Sequence, residues 1–441
     1  MIVAKPKPIG CPVRSVISLF FVLLMGTYAC EPCWAQATGP RPRLPEDPLQ
    51  RLLQPGGAEP EPEAAEPADT EPKSDQQFDE DPVDEEAKRL RTEVVRILRE
   101  GKFAAGQKEV FDRYYNDYAL PQWTLLKNLG NVHLYRPTLR NELRLGKSGE
   151  VHEHLNALVL DYMKKLATTG NYHPAVRVNA TLMIGDLNRV EQTGNEMPTP
   201  LDDALQVLIE AVENAKLPDG VRAAAMVGIL RHVAAGIRED QARKSLAAAM
   251  LKLASADIPS SLAGPGREWL RSQAIETLGR LGLVGDNNGV FNRLLKDVAD
   301  SKLTFSTRGI AVESLGRLNY AGTAGISPVD TAAILGQFVI EACGNELRLS
   351  KETGKPVSRR RMKQRLYAVL GAIFGNEETG AKGLVVLARE PSQQAFLADF
   401  QKIVEAAIDK LDDKKLEADD LEAVVDDLRT KLEAWLKKKP K

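Results

Sequence analysis

Histidines, one cysteine and a few glycine-rich stretches are where this chain could hold chemistry. Val151-His152-Glu153-His154 brings two imidazoles and a carboxylate together. Side chains two residues apart leave a helix on different faces, so this pair does not read as a zinc site. Gly146-Lys147-Ser148 has the end of a phosphate-binding loop, but Asn141 stands where its first glycine belongs. Gly264-Pro265-Gly266 lacks the third glycine and the preceding strand of a dinucleotide loop. No Gly-x-Ser-x-Gly occurs. Asp286-Asn287-Asn288-Gly289 has calcium-loop residue types without the closing glutamate, and reads as a turn between helices. Cys343 is a nucleophile in type only. No flanking signature supports that role, and a buried thiol ending a helix is the plainer reading. No catalytic residue, metal ligand or cofactor site is expected.

One basic stretch stands out: Arg348, Lys351, Lys355, Arg359, Arg360, Arg361, Lys363 and Arg365, interrupted by Gly354 and Pro356. Arg359, Arg360, Arg361 and Lys363 are the candidates for an anion-binding loop that would meet an anionic polymer or lipid headgroups. The alternative is a solvated insertion. The whole chain has 59 Lys and Arg against 61 Asp and Glu. Such a balance gives no electrostatic argument for nucleic acid, and no nucleic-acid partner is expected.

The elements that would position these residues read as helices. Hydrophobic residues make up 43% of the chain, but aromatics only 5%. That mixture suits packed helices better than sheets. Five stretches repeat one template: an Arg, an Ala three residues on, then Leu, Ile or Gly. They begin at Val176-Arg177, Val221-Arg222, Leu270-Arg271, Thr307-Arg308 and Gln364-Arg365. Their spacing scatters around the length of a two-helix repeat, and the last interval is the longest, which implies an inserted loop. An amphipathic segment precedes each: His154 to Ala167, Leu201 to Ala215, Gln241 to Ala254, Val290 to Ala299 and Thr331 to Ala342.

These stretches resemble the second helices of HEAT repeats. In that family a Val-Arg pair opens the helix, Ala packs tightly and Leu-Gly closes it. Here Leu278-Gly279 and Leu315-Gly316 match the closing pair. The second copy lacks that glycine, and the fifth has it displaced. The resemblance covers roughly Tyr172 to Gly375. It implies an all-α, armadillo-like solenoid wound as a right-handed α-α superhelix. It also implies a structural ladder in which Arg177, Arg222, Arg271 and Arg308 reach acidic groups of adjacent repeats. Contact with a ligand is the alternative role for these arginines.

The flanks divide the rest. Residues 1–37 have a positive start (Lys5, Lys7, Arg14), an apolar run from Val16 to Ala29 and Ala35-Gln36-Ala37 as a cleavage site, the layout of a secretory signal. A lipoprotein with Cys30 acylated and an uncleaved anchor are the alternatives. Cys30-Glu31-Pro32-Cys33 lacks the βαβ context of a redox pair. Cleavage would leave Cys343 as the lone cysteine. Residues 38–82, with Glu59-Pro60-Glu61-Pro62-Glu63, read as a disordered, charge-repelling linker.

Residues 83–170 are expected to form an N-terminal helical cap. Its aromatic cluster, from Phe111 to Tyr118 with Trp123, is either packed core or a ligand platform. Residues 171–375 hold the repeats and 376–441 a C-terminal helical cap. There Leu421, Val425, Leu428, Leu432 and Trp435 form a short heptad seam, suited to capping the last repeat or to a dimer contact.

The expectation is an exported, non-enzymatic scaffold that binds a protein or extended peptide. The alternatives are an envelope protein self-associating through its last helix, and an enzyme with an unrecognised site. Membrane contact follows only if the leader is retained or Cys30 is lipidated. The oligomeric state is open.

Overall fold

The computed structural model describes residues 84–168, 172–255, 265–376, 380–413, 416 and 420–440. The expected leader and linker lie outside the described residues. Sixteen α-helices account for most of what is described. The first three are α1 (Glu85–Arg89), α2 (Arg91–Glu100) and α3 (Gln107–Tyr114). A π-helical turn follows at Tyr115–Ala119, and then α4 (Val132–Gly146). Phe111, Tyr114, Tyr115 and Trp123 are buried here, so most of the aromatic cluster is core.

Helical hairpins come next: α5 (Glu150–Thr168) with α6 (Pro174–Asp186), α7 (Asp202–Glu213) with α8 (Asp219–Ala235), and α9 (Asp240–Ser255) with α10 (Pro265–Leu281). Then α11 (Gly289–Ala299) pairs with α12 (Phe305–Gly316), and α13 (Pro328–Thr353) with α14 (Arg359–Phe374). A small antiparallel pair interrupts after α6, with β1 (Asn188–Val190) bonded to β2 (Thr199–Pro200).

The second helices α6, α8, α10, α12 and α14 each pack on the next. The first helices α5, α7, α9, α11 and α13 make the same succession beside them. The template explains the close approach. Ala180, Ala225, Ala274 and Ala311 are all fully buried. At the closing position, a methyl on Gly279 would lie 2.6 Å from the Ser314 Cα. One on Gly316 would lie 3.1 Å from the Ala372 Cα. Glycine here removes the atom that would separate two backbones, and Leu278, Leu315 and Ile275 fill the space alongside.

Four of the five expected first helices fall where their apolar spacing put them. The fifth, α13, corrects the reading of an inserted loop. It runs on to Thr353, and only residues 354–358 separate it from α14. Gly354, at φ 65°, ends α13, and the Ser358 side chain accepts from the Arg361 N–H to begin α14. Arg359, Arg360, Arg361 and Lys363 therefore lie on the first two turns of a helix, not in a loop.

The chain closes with α15 (Pro391–Asp412) and α16 (Asp420–Leu436). The heptad seam Leu421, Val425, Leu428, Leu432 and Trp435 is buried within the chain, where α16 packs on α13 and α15. The Trp435 indole N–H donates to the Phe396 carbonyl at 2.8 Å, and its ring stacks on Phe396 at 4.2 Å. Among the described residues no helix is long and apolar enough to cross a membrane.

Candidate functional site

Three of the five template arginines have a shared job. Arg177 donates to the Ala167 carbonyl (3.2 and 3.1 Å), Arg222 to Val212 (3.0 Å) and Arg308 to Val298 (2.7 Å). Each carbonyl lies in the last turn of the preceding helix, where acceptors have no partner of their own and the helix dipole is negative. So each of these three arginines ties the second helix of a hairpin to the end of the first.

The acidic ladder is realised only in part. Arg271 pairs with the fully buried Asp297 (2.9 Å), and Arg308 with Glu341 on α13 (2.7 Å). Arg222 meets Asp219 on its own helix (3.5 Å). Arg308 is 3% exposed and lies 5.0 Å from the Phe305 ring centroid and 5.2 Å from that of Phe338.

One sequence signal of this arrangement went unread. Asn214-Ala215-Lys216-Leu217 and Asp300-Ser301-Lys302-Leu303 stand at the same distance before Arg222 and Arg308. Asn214 accepts from the Lys216 N–H (3.0 Å) and Asp300 from the Lys302 N–H (2.9 Å), while Leu217 and Leu303 are buried. These paired side-chain turns join the first helix to the arginine-bearing second helix in both hairpins.

The basic residues of α14 are mostly engaged within the chain. Arg361 and Arg365 both hold the buried Glu346 (2.9 and 2.8 Å). Lys363 pairs with Asp412, and Arg359 donates to the carbonyls of Asp413 (3.2 Å) and Leu416. Arg360 is exposed. These charges fasten α14 to α13 and to the end of α15.

The remaining chemical candidates are dispersed. His152 is buried beside Asn156 (3.2 Å) and Glu191 (3.6 Å). His154 turns elsewhere, to Asp112 (2.5 Å) and the ring of Phe103. The two do not converge, and among the described residues no cluster of ligands suits a metal. Burial pushes the Cys343 thiol up to about 12, which keeps it protonated and poorly nucleophilic.

Three clefts mark a surface track over the hairpins from α7 to α14. One cleft, about 500 Å³, lies between α7, the end of α8 and the start of α9, with Met197 and His232 among its lining. The next, about 670 Å³, touches α8 at Val233, α10 at Arg280, α12 at Arg317, and Lys382 and Val386 beyond α14. A third, about 360 Å³, shares Arg317 and adds Glu313, Gln364 and Tyr367. The first two clefts share no lining residue, though both border the last turn of α8, and Arg317 lines both of the last two.

Few large apolar side chains among the described residues are exposed, and one of them lines each cleft: Met197 (81%), Val386 (43%) and Tyr367 (54%). Polar groups lie between them. Glu276 pairs with Arg280 (2.7 Å), Glu313 lies 3.7 Å from Arg317, and Gln364 donates to Glu313 (3.4 Å). The same Arg-to-Glu-to-Arg spacing recurs from Arg271 and from Arg308, so the track carries a repeated polar pattern. Beside the first cleft the His232 ring is buried, and its Nε2 has no hydrogen-bond partner. Burial, then the charge of Arg231, pushes this imidazole down to about 4, so it is neutral near neutral pH. Apolar anchors separated by paired charges suit recognition of an extended chain.

The chain matches no family model, no curated protein and no solved structure.

Proposed function

We propose that this chain is a HEAT-like α-solenoid that binds an extended segment of a partner protein across the clefts of its stacked hairpins. The observation that carries the reading is the succession of three clefts, each with an exposed apolar side chain: Met197, Val386 and Tyr367. Exposed apolar groups are costly to leave in water, and a row of them spaced along one surface is what a partner chain would cover. The repeated Glu-Arg pairs would set the register of that chain without demanding a single sequence.

Stacked hairpins support the solenoid reading. Each leaves an apolar face that only its neighbour covers. The buried α16 supports its role as the terminal cover. The leader-like residues 1–37 and the Pro/Glu-rich residues 38–82 support an exported protein with a tether ahead of the folded part. In this role the protein is a scaffold and not an enzyme.

The test is selection of a displayed random peptide library on the full chain, with a Met197→Ser/Val386→Ser/Tyr367→Ser variant as comparison. The reading expects an enriched apolar-spaced motif that the variant fails to retain. Equal retention by both proteins would refute it.

A further inference from the structure

A fourth, smaller cleft of about 190 Å³ lies apart from these three, in the N-terminal helices. Tyr114, Tyr118, Trp123 and Tyr135 line it, with Arg91 and Glu142. The rings form two groups: Tyr114 and Tyr118 lie 5.6 Å apart by centroid, and Trp123 and Tyr135 6.3 Å apart. The π-helical turn Tyr115–Ala119 places Tyr118 here. Such turns carry an extra residue per turn and recur at functional sites. Packing accounts for the buried rings of Tyr114 and Trp123, but Tyr118 and Tyr135 are only half-buried.

Glu142, contributed by α4, is the unusual member. It is 8% exposed, and its Oε2 accepts one hydrogen bond, from the buried Tyr115 hydroxyl at 2.9 Å. Burial pushes its carboxyl up, while the Tyr115 hydroxyl and the more distant Arg91 charge pull it down. Arg91 is exposed at the rim and forms no ion pair with it. A buried carboxylate with no ion-pair partner in contact is expensive. The aromatic faces around it carry the negative side of the ring quadrupole. The Lys88 ammonium already lies 6.0 Å from the Tyr118 ring centroid, so one of these rings hosts a cation in the chain itself.

We propose that this cleft binds a small quaternary ammonium ion, held against the Tyr118 and Tyr135 rings with the Glu142 carboxylate as its counter-charge. A methylated ammonium presents a diffuse positive charge on an apolar surface. It therefore sheds water easily, which an aromatic-walled cleft requires, and needs no hydrogen-bond acceptor. This site does not depend on the peptide-binding reading.

Choline is the probe, titrated calorimetrically into the full chain. Saturable binding at one site is expected. The uncharged isostere 3,3-dimethylbutan-1-ol should bind about tenfold more weakly or worse, because shape alone does not use the ring quadrupole. Glu142→Gln keeps an acceptor for Tyr115 and should weaken choline about tenfold. Arg91→Gln, at an exposed position where folding is not at risk, should tighten it several-fold by removing a like charge. Isostere binding equal to choline would overturn the proposal. So would choline affinity unchanged in both variants, or binding only to phosphatidylcholine vesicles and not to free choline. A neutral sugar such as methyl glucoside binding better than choline would overturn it too, by making the cleft a glycan site.

Discussion

Gly185 of α6 and Gly228 of α8 face each other so closely that a methyl on Gly185 would come within 2.8 Å of the Gly228 Cα. Neither backbone can give way without moving its hairpin. Gly185→Ala should therefore cost about 1–3 kcal/mol by overpacking, despite alanine's better helix propensity. Gly371, in α14, has open space where its methyl would go. Gly371→Ala should be neutral or stabilise by up to about 1 kcal/mol. Urea denaturation of the two variants gives the contrast, and equal effects would show that close helix approach does not govern the stack.

Arg308 binds a carbonyl of α11, the carboxylate of Glu341 on α13 and two aromatic faces, all while buried. Arg308→Ala should cost about 2–4 kcal/mol, since the Val298 carbonyl and part of Glu341 lose their partner. Arg222→Ala, which loses one carbonyl bond and a long pairing with Asp219, should cost about 1 kcal/mol. Thermal unfolding of both variants checks the order, and a larger loss at Arg222 would contradict it.

Removing α16 uncovers the apolar faces of α13 and α15. Trp435→Ala should cost about 3–5 kcal/mol, the range for deleting a buried large aromatic. A chain ending at Asp412 should be poorly soluble in light scattering. If that shortened chain stayed soluble, monomeric and equally stable, the covering role of α16 would be excluded.

His232 gives the fold an acid sensitivity of known sign. Its ordinary value of 6.5 is lowered to about 4 in the folded chain, so the unfolded chain takes up its proton first. The stabilisation is complete above pH 6.5 and is lost as pH falls from there towards 4, by about 3 kcal/mol in all. His232→Gln should flatten stability against pH in that window. An unchanged slope would mean that the ring is protonated without penalty.

Helices were legible because their apolar spacing is local. The template Arg-x-x-Ala and its closing Leu-Gly marked α6, α10 and α12 directly, and the preceding segments marked their partners. Where it failed, the reason was also local. Gly354 and Pro356 lie so near a run of cations that Arg348 to Thr353 read as loop, although these residues continue α13. The arginine partners were misjudged in part, because a backbone carbonyl at a helix end leaves no mark in residue types. The clefts were invisible for a different reason. The lining of each cleft is drawn from several segments far apart in the chain, and only the stacking of hairpins brings them together. Glu142 was unread because an isolated acid in a helix looks like a solvated one until burial is known.

The most direct measurement is photocrosslinking from benzoylphenylalanine placed singly at positions 197, 386 and 367, in the cell that makes the protein. Positions 126 and 145, also exposed leucines but outside the track, serve as comparison. A partner bound across the three clefts should crosslink from all three track positions and from neither comparison position. Crosslinks to a shared partner from positions 126 and 145, with none from the track, would contradict the account.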